Sequence, residues 1–251
     1  MPISGSVIIE YCIHDCNPRI IEKQGNIMRY KTIREGRFLD RPNRFIAHVE
    51  VNGKIETVHV KNTGRCLELL TPGAAVILCD CADNPGRKTR YDLTAVYKGG
   101  LLINIDSQAP NAAVSEWLAV GHLFPPGSKI RPEYTYGDSR FDFAAFTPEL
   151  SLLEVKGVTL ERDGAVLFPD APTLRGAKHL RQLAAFPGQA TVLFVIQMRP
   201  VQYFAPNADT DPAFSMALRL AKDAGVTILA YDCAVTPEGM TLENPVDIKI
   251  P

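Results

Sequence analysis

A chain of 251 residues with a formal net charge of −1 and 46% hydrophobic residues can bury one large core or two modest ones, and its make-up is that of an ordinary globular protein. Its six cysteines, at 12, 16, 66, 79, 81 and 233, are too few and too irregularly spaced for a disulfide scaffold, and no Cys-x-x-Cys pair suggests a zinc ribbon. The most apolar N-terminal stretch, 6–13, is short, contains Glu10 and lacks a basic flank, so neither a signal peptide nor a membrane span is expected and the protein reads as soluble and cytoplasmic.

Residues 1–27 carry no strong periodicity and read as an N-terminal extension. His14 between Cys12 and Cys16 could be drawn as a metal site, but three ligands on an unpatterned segment read as incidental. From Gly36 onward short strands follow one another. Asn52-Gly53 between the runs 44–51 and 54–60 is a hairpin signal, because this pair accepts the positive φ angles of a type I′ turn. Asn62 and Thr63 can then cap a short helix reaching Leu70, and Pro72-Gly73 turns the chain into a strand at 75–79. Further strands are expected at 89–97 and 101–105. Five short strands with one small helix predict a closed OB-like β-barrel over 28–107, a shape used on single strands and duplex ends.

Charge is unevenly spread. Between Met28 and Arg90 there are twelve Lys/Arg against seven Asp/Glu, whereas Tyr91 to Pro251 has thirteen against eighteen. The basic residues gather in loops and strand ends: Arg34, Arg37, Arg41 and Arg44, then Lys61 and Arg65, then Arg87, Lys88 and Arg90. A positive face of this kind suits a polyanion such as DNA; a merely solvated surface would look the same. Asn62 with Arg65 at a helix start is a phosphate candidate, since backbone N–H groups there favour an anion. His48 and His59 on barrel strands read as structural.

The second half, 108–251, reads as α/β. A helix is expected at 111–123, with Ala113, Trp117 and Val120 on one face. Strands follow at 130–136, 140–146 and 150–158, with a short piece near 166–168. Then come a helix at 175–186, an apolar strand at 191–198, a helix at 211–224 opened by Asp211 and Pro212, and an apolar strand at 226–233. Apolar strands alternating with helices imply a sheet covered on both faces. The fold class is therefore α+β: an N-terminal barrel followed by an α/β domain.

Within that half, Glu154 and Lys156 lie two apart on one strand and share a face, and a hairpin through Thr147-Pro148-Glu149 brings Asp142 onto it. Two neighbouring carboxylates form a hard-oxygen site for Mg²⁺ or Mn²⁺, and an adjacent lysine can activate water or steady charge on a phosphate. A salt-bridged polar strand face is the alternative.

This order of helix, three-strand meander, helix and strand, with Asp142 and then Glu154-Val-Lys156, resembles the core of the PD-(D/E)xK nuclease superfamily. Several stretches are similar to the sugar fermentation stimulation protein A family: Arg41-Pro-Asn-Arg-Phe45, Lys61-Asn-Thr-Gly-Arg65, Arg87-Lys88-Thr89, Gly137-Asp-Ser-Arg-Phe-Asp142, Glu154-Val-Lys-Gly-Val158, and the run from Phe168 to His179. The resemblance spans about residue 28 to the C-terminus and implies an OB-like domain joined to a PD-(D/E)xK nuclease-like domain in a DNA-binding protein. Carried over by position, Glu133 would join Asp142 and Glu154 as a metal ligand, with Lys156 as catalytic base or charge stabiliser. Arg140 would contact a phosphate or pair with the metal-ligand acid, and Lys178 and His179 could reach a phosphate near the site. The expectation is a Mg²⁺- or Mn²⁺-dependent nuclease acting on DNA. The alternatives are a non-catalytic DNA-binding regulator of sugar-utilisation genes and an RNA-directed role through the barrel. Oligomeric state is open between monomer and homodimer.

Overall fold

The computed structural model describes residues 28–62, 64–84 and 86–250. The extension and the Cys12, His14, Cys16 set lie outside the described residues. Strand β1 (Met28–Arg29) pairs antiparallel with the last strand of the chain rather than with the barrel, so the first residues assigned to the barrel belong to the other domain's sheet. Met28 is buried there against helix α1.

The barrel is built from β2 (Ile33–Asn43), β3 (Ile46–Val51), β4 (Lys54–Val60), β5 (Ala75–Asp80) and β6 (Tyr91–Lys98). They pair in the order β4-β3-β2-β5-β6, and β4 closes on β6 through His59 opposite Asp92 and Val60 opposite Leu93. Strand β7 (Leu101–Asn104) extends β6 outside the closed ring. Asn52 and Gly53 both have positive φ, as the hairpin signal requires. The short helix expected from Asn62 to Leu70 does not form. A turn at Cys66 takes its place, because the Asn62 side chain caps Gly64 N–H and reaches the Ile105 carbonyl, while Arg41 binds the backbone carbonyls of Asn62, Gly64 and Arg65.

The second domain is a seven-stranded mixed sheet in the order β1-β16-β15-β13-β10-β9-β8. Its members follow helix α1 (Ala109–Ala119) as β8 (Lys129–Tyr136), β9 (Ser139–Phe146) and β10 (Leu150–Val158). A side sheet of β11 (Leu160–Arg162), β12 (Ala165–Phe168) and β14 (Tyr203–Pro206) flanks it; the remaining elements are α2 (Leu174–Ala185), β13 (Gln189–Ile196), α3 (Pro212–Asp223), β15 (Thr227–Thr236) and β16 (Gly239–Pro245). Helix α1 covers one face through Ala113, Val114 and Leu118 against Phe143, Leu153, Val155 and Leu193. The other core joins α2, α3 and the barrel interior in one cluster, with Leu180, Leu183 and Phe214 beside Leu152, Val192 and Phe194.

Caps follow the sequence at α3, where Asp211 accepts from Phe214 N–H and Pro212 opens the first turn. Helix α1 starts and stops earlier than expected, leaving Val120 at its C-cap and exposed. Trp117 is half-buried and stacks on His122. None of the described helices is long and apolar enough to cross a membrane.

Candidate metal centre and basic rim

Strands β9 and β10 pair as the hairpin requires, from Leu150 opposite Phe146 to Leu153 opposite Phe143. The ladder ends at that pair, one step before the same register would set Asp142 opposite Glu154. The N–H of Val155 is instead taken by Asp142 Oδ2 at 2.8 Å. On the other side of Asp142, Asn111 in the first turn of α1 donates Nδ2 to Oδ1 at 2.7 Å. Phe141 belongs to the α2/α3 core and Phe143 to the α1 core. Two residues apart on one strand they should share a face, so β9 turns at Asp142 and delivers its carboxylate into the gap between α1 and β10. Glu133, across from this turn on β8, has φ of 53°.

Glu154 is buried at 3% exposure, and its Oε1 accepts from both Lys156 Nζ and His179 Nδ1. Oε2 of the same carboxylate is buried with no hydrogen-bond partner among the described residues. A buried carboxylate oxygen without a donor is costly; beside a second carboxylate it is the donor set a hard divalent cation takes. Burial, followed by the negative charge of Glu154, pushes the Asp142 carboxyl up to about 6. For Glu154 burial alone would act in the same direction, but the His179 hydrogen bond and the Lys156 ammonium outweigh it and hold the carboxyl below its ordinary value. The neighbouring acids are thus pushed apart, Asp142 up and Glu154 down.

Gly157 allows this packing. A Cβ there would lie 2.5 Å from Gln197 Oε1 and 2.9 Å from Pro110 Cγ. The side chain of Gln197 in turn ties the barrel end to the second domain by donating to Asn104 and Asp106.

Glu133 is half-exposed and pairs with Arg140 Nε at 2.8 Å. Among the described residues no three His, Cys, Asp or Glu side chains lie close enough together to hold a metal ion; Glu133 is engaged with Arg140, whereas the charge of Glu154 is felt at Asp142. His179, expected at a phosphate, is 4% exposed and engaged with Glu154. A buried ring cannot meet a phosphate on the surface; it orients a carboxylate. Lys178 is half-exposed and pairs with Asp138 at 2.8 Å.

The barrel cations separate into two kinds. Arg41 is committed to four backbone carbonyls, those of Arg44, Asn62, Gly64 and Arg65, and Arg87 is buried against Asp92. Both are structural. Arg44, Arg65 and Lys88 are exposed. Asn62 orders its own loop rather than opening a helix. That loop docks on the second domain where Arg65 N–H donates to Asp170 Oδ2 at 3.1 Å, and a Cβ on Gly64 would meet the same oxygen at 2.5 Å.

Asn111 and Asp170 have clear positions here that sequence reasoning did not nominate. Asp170 lies within a stretch singled out for its resemblance; nothing in the spacing marks Asn111.

A family model described as the sugar fermentation stimulation protein RE domain matches residues 108–239, and the SfsA N-terminal OB domain matches 39–105. A sugar fermentation stimulation protein homolog from Desulfitobacterium hafniense strain Y51 is 52% identical over 227 residues, covering 89% of this chain and 99% of the relative. One from Ruminiclostridium cellulolyticum is 49% identical over 227 residues, covering 89% of this chain and all of the relative (100%). Among solved structures, Pyrococcus furiosus SfsA in complex with Ca²⁺ superposes with a TM-score of 0.81 at 26% identity, covering 89% of this chain and 99% of that one. Barrel, mixed sheet and both matched regions agree, and the chain belongs to the sugar fermentation stimulation protein family.

Proposed function

We propose that the protein is a DNA-binding nuclease that hydrolyses phosphodiester bonds with a divalent metal ion at Asp142 and Glu154. The observation that carries this reading is the buried, unpartnered Oε2 of Glu154 next to Asp142. A bound Mg²⁺ or Mn²⁺ would supply Lewis acidity toward a phosphate oxygen and lower the pKa of a water. The protein's part is to hold the two carboxylates still. Asn111 and the Val155 N–H orient Asp142, and His179 and Lys156 orient Glu154. Lys156, already donating to Glu154, acts as the cation that steadies charge growing on the phosphate. The Ca²⁺ named for the Pyrococcus furiosus relative has the same preference for oxygen ligands. Glu133 can contribute only after leaving Arg140.

DNA is the polyanion that the exposed cations Arg44, Arg65 and Lys88 suit. A regulator that binds DNA without cutting it would keep these cations, but it gains nothing from a buried pair of carboxylates with one oxygen unpartnered. Incubation with supercoiled plasmid and single-stranded circular DNA in Mg²⁺, Mn²⁺ or EDTA tests the reading. Cutting restricted to the metal-containing reactions supports it, and retained binding with no cutting moves the assignment to the regulator.

A further inference from the structure

A cleft of about 380 Å³ opens at the seam where β4 meets β6, between the barrel and the start of α1. It falls within the range of about 300–1,000 Å³ that small-ligand pockets occupy. Its rim carries Phe45, a large aromatic ring 51% exposed on the tight β2–β3 turn, with the Arg44 guanidinium 6.0 Å from the ring centroid. Facing it is the β5–β6 loop, which supplies Lys88 and Thr89. The floor is Asp92, whose charge is met by the Arg87 guanidinium while His59 Nδ1 lies 3.1 Å from its Oδ1, so the carboxylate is not left bare toward an anion. The side chains of Lys88, Thr89 and Gln108 line this space and make no hydrogen bond or ion pair among the described residues.

An exposed aromatic face, an unpaired lysine and free hydroxyl and amide groups around one cavity match the parts of a nucleotide: base, phosphate and base edge. Every base has a π-face, and inside a duplex that face is covered by the stacked neighbours, so an aromatic side chain reaches it where the strand is unpaired and unstacked. We propose that this cleft seats one unpaired nucleotide of a DNA strand, with the base on Phe45, the phosphate on Lys88 and the base edge within reach of Gln108. Gln108 is the N-cap residue of α1, and Asn111, one turn further on, holds Asp142. The cleft therefore adjoins the element that positions the metal ligands. Resting on the nuclease reading for the fate of that strand, the inference names the substrate class: single-stranded or splayed DNA rather than closed duplex.

Fluorescence anisotropy with a labelled thymidine oligonucleotide and a duplex of equal length, both in EDTA so that no cutting occurs, tests the cleft independently of catalysis. Phe45→Ala and Phe45→Leu are each expected to weaken single-strand binding about tenfold and to leave duplex binding within about twofold. Phe45→Trp should preserve single-strand affinity, and its added fluorescence should be quenched by the oligonucleotide but not by the duplex. Lys88→Ala should lower the slope of log affinity against log salt by about 0.7 on the single strand. Unchanged single-strand affinity in both Phe45→Ala and Phe45→Leu, or an equal loss on the duplex, overturns the proposal whether or not the protein cuts DNA. Phe45-dependent single-strand binding by a protein that never cuts leaves the cleft standing and removes the nuclease reading instead.

Discussion

Asn111 Nδ2 lies 2.7 Å from Asp142 Oδ1, a hydrogen bond between the first turn of α1 and a strand that follows 31 residues later. With the Val155 N–H on the other oxygen it leaves Asp142 no freedom to rotate. Outer partners of this kind commonly account for about 10–100-fold in metal affinity. Asn111→Ala is therefore expected to weaken Mn²⁺ binding by about tenfold or more in isothermal titration, while the thermal midpoint of the metal-free protein changes little.

His179 plays the corresponding part for Glu154 from helix α2. His179→Ala should reduce the maximal cleavage rate about tenfold or more while leaving DNA affinity within about twofold, because the ring is buried and meets no solvent-facing ligand. His179→Gln, which can still donate to the carboxylate, should recover part of the rate. A variant that lost DNA affinity in proportion to rate would place His179 on the phosphate instead.

Arg41 and Arg44, three residues apart, should respond in opposite ways. Removing Arg41 leaves four backbone carbonyls without their charged donor, so Arg41→Ala is expected to cost about 2–4 kcal/mol in urea unfolding. Exposed Arg44 should cost less than about 0.5 kcal/mol but weaken DNA binding and its salt dependence.

Glu116 provides a pH test away from the candidate metal centre. Its carboxylate accepts the Met28 N–H at 2.7 Å, and burial pushes its carboxyl up to about 7 from 4.5. A group raised on folding contributes stability that is full below pH 4.5 and is lost as pH rises through 7. Because the side chain is only partly buried, the loss is discounted to about 1–2 kcal/mol. Glu116→Gln should flatten that interval and be the more stable form at pH 8. Thermal melts at pH 4.5 and pH 8 check the sign.

The features legible in the sequence were those set by short-range geometry. Asn52-Gly53 fixed the barrel hairpin, Asp211-Pro212 opened α3, and the turn at 147–149 set the hairpin of β9 and β10 in register as far as Leu153 opposite Phe143. Long-range contacts were hidden. The Asn62 loop looked like a helix start because the Arg41 side chain that draws in its carbonyls lies about twenty residues earlier. His179 looked like a surface residue beside Lys178, although Gly176, His179, Leu180 and Leu183 recur at helical spacing and mark the buried stripe of α2. Strand β16 carries no strong alternation and is held by pairing with β15 and β1.

The most direct measurement is cleavage of supercoiled plasmid and single-stranded DNA in Mg²⁺ or Mn²⁺ by the unaltered protein, Asp142→Asn and Lys156→Ala, each first shown to be folded and to bind DNA. The expected result is metal-dependent cutting that falls about 100-fold or more in both variants. Cutting that persists in both, or an unaltered protein that binds DNA and never cuts it, would contradict the account.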